Sequence, residues 1–170
     1  MPVHFAGLPA DMDAIMTLAQ QHNLFVIEDA AHAHGSTWRG RPMGTLGHIG
    51  SFSLQASKNL TAGEGGILLT NHDDLAQKLW SYINQGRSPE GAWYEHESLG
   101  SNLRLTGWQA AILLAQMERF DEQLARRQQN ARHLNTFLEE IDGLEPMRWD
   151  PRAENHAHHL FMMRYDATGF

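Results

Sequence analysis

The feature that most constrains this chain is a helix-length stretch running straight into an apolar strand. Residues 11 to 22 place Met12, Ile15, Met16 and Ala19 on one helical face, and Asn23 can end the helix. Leu24 to Ile27 follows at once as a short β-favouring apolar run that stops abruptly at Glu28-Asp29. A helix feeding such a strand belongs to a parallel sheet covered by helices. Ile49 to Leu54 and Gly66 to Thr70 read as two further strands. The second leads into another helix: Asn71 and Asp73-Asp74 supply a start, Leu75, Leu79 and Ile83 recur every four residues, and Gly86 closes it. The expected fold class is therefore α/β, with a mostly parallel sheet and flanking helices.

Residues 87 to 105 are rich in Gly, Ser, Pro, Trp and Tyr without helical period and read as a long loop, of a kind often functional. Helical patterning resumes near Thr106 with Trp108, Ala111, Ile112 and Ala115 on one face, then Leu134, Phe137, Leu138 and Ile141, and stops at Gly143. One long helical region linking two domains is expected there. Leu160 to Tyr165 reads as a last strand without a partner in sequence, and the partial sheet implies a truncated unit with edges needing cover.

Composition narrows the function. With 170 residues, 42% of them hydrophobic, the chain can bury one real core. A formal net charge of −7 without a basic run argues against binding a nucleic-acid backbone. No cysteine is present, so disulfides and thiolate metal sites are excluded. No apolar stretch approaches the roughly 20 residues that span a bilayer, and Met1-Pro2-Val3-His4 does not resemble a signal peptide. A soluble cytoplasmic enzyme is expected, with no nucleic-acid or membrane partner.

An amine nucleophile has two places to reside, Lys58 and Lys78. Lys78 falls within a helix, where a solvated charge suffices. Lys58 follows a strand and precedes Ala62-Gly63-Glu64-Gly65-Gly66, so it sits at a strand's carboxyl end, where α/β proteins bind ligands. From spacing alone a surface loop lysine is still the commoner explanation. Asp29 also follows a strand; it can bond the ring nitrogen of a pyridine cofactor or, on even terms, cap a helix or turn. Ser53 and Ser57 are potential phosphate donors. The glycines follow the lysine and no Gly-Lys-Ser/Thr run exists, which excludes a P-loop, and no G-x-S-x-G hydrolase elbow is present. Among 11 histidines, His32 with His34 and His156 with His158 and His159 invite a metal reading. They have no H-E-x-x-H arrangement or defined third ligand, so structural histidines are favoured and no metal ligand is assigned.

Pro2-Val3-His4-Phe5-Ala6-Gly7, Val26-Ile27-Glu28-Asp29-Ala30-Ala31-His32-Ala33-His34-Gly35, Gly44-Thr45-Leu46-Gly47 and the run from Phe52 to Asn71 occur in an order that resembles the DegT/DnrJ/EryC1/StrS family of pyridoxal-phosphate (PLP) dependent aminotransferases. The resemblance implies a fold-type-I PLP-dependent transferase: residues 1–105 as the C-terminal part of the PLP-binding large domain, 106–142 as a long linking helical region and 143–170 as the start of a truncated small domain. It implies that Lys58 forms the Schiff base with PLP, Asp29 bonds the pyridinium nitrogen, Ser53 contacts the phosphate and His32 lies by the phenolic oxygen. Asn102, in Gly100-Ser101-Asn102-Leu103-Arg104-Leu105, is similar to an asparagine that reaches the cofactor phosphate of the neighbouring subunit, which implies a homodimer with shared sites.

Related PLP enzymes that dehydrate sugars carry histidine at the lysine position, so Lys58 favours amino transfer from glutamate or glutamine to a nucleotide-linked keto sugar or a keto-cyclitol. The Leu54-Gln55-Ala56-Ser57-Lys58 wording is similar to the branch with keto-inositol aminotransferases and aminohydroxybenzoate synthases. Family members carry an upstream phosphate-binding turn and a ring-stacking aromatic, so an internal fragment unable to turn over alone is expected. Two competing readings are a metal-dependent hydrolase using Asp29, His32 and His34, and a cofactor-free truncated partner subunit.

Overall fold

The computed structural model describes residues 1–168. Helix α1 (Met12–Gln21) starts where Asp11 accepts a bond from the Ala14 amide, and it ends as Asn23 turns left-handed (φ 51°). The Leu24 amide bonds back to the Ala19 carbonyl, so the first residue of the expected strand closes the helix instead. Strand β1 is accordingly Ile27–Asp29. It pairs with β4 (Ile49–Ser53) in parallel, and β4 pairs with β5 (Gly66–Leu69) antiparallel, in the order β1-β4-β5. Val3 adds a parallel bridge to Asp29.

The sheet is thus mixed, with parallel pairing at β1 and one antiparallel strand, β5, within the expected α/β class. The connection from β4 to β5 contains no helix to cross over the sheet; it doubles back through Leu54, whose amide bonds Gly65 and whose carbonyl accepts from Ala62. Such a connection returns a strand antiparallel.

Between β1 and β4 lies a hairpin of β2 (Thr37–Trp38) and β3 (Arg41–Pro42) that periodicity did not reveal. Its two central residues, Arg39 (φ 49°) and Gly40 (φ 73°), are both left-handed, as a two-residue turn matching strand twist requires. Helix α2 spans Asp73–Ile83, close to expectation. The expected linking helix is two helices, α3 (Gly107–Met117) and α4 (Phe120–Leu138), interrupted at Glu118-Arg119. β6 (Leu144–Pro146) supplies the partner missing for the last strand, β7 (Met163–Tyr165), which starts later than Leu160.

The pleat divides the sheet's two faces. Glu28, Phe52 and Ile67 point toward the interior, where Met12, Val26, Ala30, Trp38 and Met43 form one apolar cluster and Leu54, Ala62 and Leu113 another. Ile27, Asp29, Ile49, Ser51, Ser53 and Leu68 lie on the opposite face and line an open depression of about 580 Å³. Gly50 shows how closely the inner layer packs, because a Cβ there would stand 2.1 Å from the Gly44 carbonyl oxygen.

Candidate active site

Glu28, adjacent to Asp29, anchors the end of β1. It is buried and accepts hydrogen bonds from His4 Nε2 (3.0 Å) and the amides of Gly44 (2.7 Å), Leu46 (2.7 Å) and Gly47 (2.5 Å). Burial pushes its carboxyl up, but these donors outweigh it and hold the net shift below the ordinary value. Asp29 is thereby set on the opposite, open face. Its Oδ1 accepts from the Ala31 amide (3.1 Å), so it caps a turn, one form of its alternative reading, and no helix starts there.

Lys58, half-buried in the turn after β4, has its backbone amide bonded to Gln55. Three imidazoles lie within the reach of its charge: His32, His34 and His159. Each is held below the ordinary histidine value, first by burial and then in part by charge, so Lys58 sits among neutral rings. Asp29 acts on His32 in the opposite sense. Asp29, His32 and Lys58, predicted from distant stretches of sequence, therefore share one electrostatic neighbourhood. Ser53 shares the depression with Asp29, and its Oγ accepts from the Gln55 amide (3.3 Å). The Ser57 hydroxyl is bonded to Gln55 Oε1 (2.6 Å). Lys78 is exposed on α2 beside Asp74 (3.7 Å), a solvated i,i+4 pair.

Asn102 is not brought to this cluster. It bridges to Asn84, and its Oδ1 accepts from Arg104 Nε (3.0 Å), at the end of α2. The histidine cluster near the C-terminus is split. His156 and His158 stack on each other (3.9 Å between centroids) against Trp149, whereas His159 stands 4.2 Å from His32. The metal-hydrolase set fares poorly: His32 Nδ1 is engaged by the Ala6 amide (3.2 Å), and the Lys58 charge opposes a cation. No group of three or more His, Asp or Glu among the described residues is arranged to hold a metal ion.

Sequence reasoning missed Asn59 and Glu28, and it grouped His159 with the wrong neighbours. Asn59 donates from Nδ2 to the Ala157 carbonyl (2.8 Å) and faces His159 Nδ1 through Oδ1 (3.3 Å). Nothing local in the sequence connects residues so far apart. The segment around Ala157 reaches the site because Gly7 (φ 93°) has no side chain: a Cβ there would meet that of Ala157 at 2.9 Å. Ser36 Oγ donates to the Gly7 carbonyl (2.5 Å) and accepts from the Ala157 amide (3.0 Å), fastening both strands of chain.

Among the described residues no helix is long and apolar enough to cross a membrane. The chain is similar to 3-amino-5-hydroxybenzoate synthase of Amycolatopsis mediterranei, 39% identical over 96% of this chain and 43% of the relative. It is also similar to L-glutamine:2-deoxy-scyllo-inosose aminotransferase of Streptoalloteichus tenebrarius, 40% identical over 94% of this chain and 39% of the relative. The chain thus spans less than half the length of these relatives. The crystal structure of 3-amino-5-hydroxybenzoic acid synthase superposes with a TM-score of 0.88 at 38% identity, over 95% of this chain and 43% of that one. The model of the DegT/DnrJ/EryC1/StrS aminotransferase family matches residues 1–169, and the chain belongs to that family.

Proposed function

We propose that this chain carries the lysine-bearing part of a PLP-dependent aminotransferase that moves an amino group from glutamate or glutamine to a keto sugar or keto-cyclitol. The observation that carries the reading is that the charges of Lys58 and Asp29 both act on His32, while Asp29 and Ser53 line one depression. These residues fit PLP. Asp29 offers a carboxylate on the open face, Lys58 the amine, Ser53 a hydroxyl beside Asp29, and His32 a ring whose Nδ1 is already engaged, leaving the Nε2 proton to donate. Bound PLP supplies the electron sink that makes amino transfer accessible.

The chain's own groups divide the remaining work. The Asp29 carboxylate would hold a positively charged ring nitrogen, Ser53 Oγ would donate to a phosphate oxygen, and His32 Nε2–H would donate to a phenolic oxygen. Lys58 Nζ would hold the group covalently until the donor's amine displaces it, and the freed amine would then carry the proton taken from the carbon bearing the amino group. Its neutral imidazole neighbours suit this role, because they add no positive charge that would compete with it. Asn102, remote from the cluster in its own chain, is assigned to the phosphate of a second subunit in a homodimer. We assign 1–105 to the large domain, 106–142 to the link and 143–170 to the small domain. The names of the two relatives, one acting on a keto-inositol and one a hydroxybenzoate synthase, support a keto-cyclitol or similar polyol ketone as amino acceptor.

Borohydride reduction of the protein with added PLP, followed by peptide mass mapping, tests the reading, with Lys58→Ala as control. A pyridoxyl label on Lys58 alone is expected. A label on Lys78 alone, or on neither lysine, would overturn it.

A further inference from the structure

We propose that His159 is a specificity-determining residue of the Lys58 site, its unprotonated Nε2 accepting a hydrogen bond from a hydroxyl of the amino acceptor. The inference rests on the aminotransferase reading and adds to it the group that recognises a polyol. The orientation of Asn59 decides the matter. Asn59 is buried (7% exposed), and its Nδ2 donates to the Ala157 carbonyl at 2.8 Å, so its Oδ1 must be the atom facing His159 Nδ1 at 3.3 Å. A carbonyl oxygen only accepts, which puts the His159 proton on Nδ1 and leaves the lone pair on Nε2.

His32 is fixed in the opposite form. Its Nδ1 accepts from the Ala6 amide at 3.2 Å, so its proton is on Nε2. The two rings, 4.2 Å apart, therefore present one donor and one acceptor beside Lys58. His159 is kept neutral by burial and by the positive charges of Lys58 and Arg127, with His32 opposing a second proton in the cluster. His34, the third ring, is buried (5% exposed) and cannot serve a substrate. His159 is only half-buried, and the clasp of Gly7, Ser36 and Asn59 on Ala157 holds it in place. An acceptor held in one tautomer suits a hydroxyl next to a ketone, and a simple ketone has no proton to offer it.

The test combines imidazole ¹⁵N spectra with equilibrium binding of two ketones, a keto-inositol and cyclohexanone, to the protein and to His159→Phe. The expected spectrum shows Nδ1-protonated His159 whose Nε2 resonance moves when keto-inositol binds. Loss of one such bond should weaken keto-inositol binding by about tenfold in His159→Phe and leave cyclohexanone unchanged. A proton found on Nε2, equal keto-inositol binding by both proteins, equal losses for both ketones, or no binding to the unmodified protein would each overturn the proposal. The tautomer is read without any variant, so misfolding of His159→Phe does not hide the answer. The pyridoxyl label on Lys58 is read separately: its absence counts against the aminotransferase reading, whereas its presence in a His159→Phe protein that still binds keto-inositol normally counts against His159 alone.

Discussion

His34 shows how a single buried ring stores a response to pH. Only 5% of it is exposed, Phe52 packs at 5.2 Å, and neither ring nitrogen finds a hydrogen-bond partner among the described residues. The Ser53 backbone lies near enough to favour the charged form weakly, yet not in bonding geometry. Burial first, then the Lys58 charge, lowers its value from 6.5 to about 4. The unfolded chain takes up this proton below pH 6.5 while the folded chain refuses it until about pH 4, so stability falls as pH drops through that interval. Replacing His34 with Phe should flatten the fall. Urea titrations at several pH values would show it, and an unchanged pH slope would mean that other groups govern the acid response. From sequence His34 was one of a pair of metal candidates. Alternation along the chain could not tell that one ring enters the core while the other, His32, stands by the site.

At the scale of elements, the helical period located the starts of α1 and α3, but the start expected of Asn71 for α2 is not made by it: the N-cap is His72, with no side-chain bond. Asp11 and Thr106 are both true caps, and Thr106 forms a full capping box with Gln109, each side chain bonded to the other's backbone. Thr106→Ala should cost about 1 kcal/mol and raise amide exchange in the first turn of α3 before it affects α4. Exchange rising equally in both helices would show that they act as one unit across Glu118-Arg119. The break itself escaped sequence reading because Glu118 (φ −58°, ψ −26°) keeps helical angles and Arg119 (φ −110°, ψ −1°) departs only slightly, with no Pro or Gly to announce it. The β2–β3 hairpin was missed for a related reason: Arg39 occupies a left-handed position usually signalled by Asn, Asp or Gly.

Across the whole molecule, the two faces of the sheet have unequal standing. Leu54 is fully buried beside Ala62 and Leu113, whereas Leu68, pointing to the open face, is 43% exposed. Leu54→Ala should destabilise by about 3 kcal/mol through lost packing and the cavity left behind, while Leu68→Lys should change stability by less than about 0.5 kcal/mol. Similar losses in chemical denaturation would show that the open face is covered in solution. The α/β class, the two strands on either side of Lys58 and the glycine-rich turn between those strands were determined by the sequence alone. Each rests on contacts among near neighbours, where period and residue type are sufficient. The mixed sheet, the Glu28 anchor and the arrival of His159 beside His32 were decided only by tertiary structure. Strand direction depends on how a helix-free connection folds back. A buried carboxylate depends on amides far along the chain, and an imidazole reaches the site only because Gly7 lacks a side chain and Asn59 turns its amide toward it.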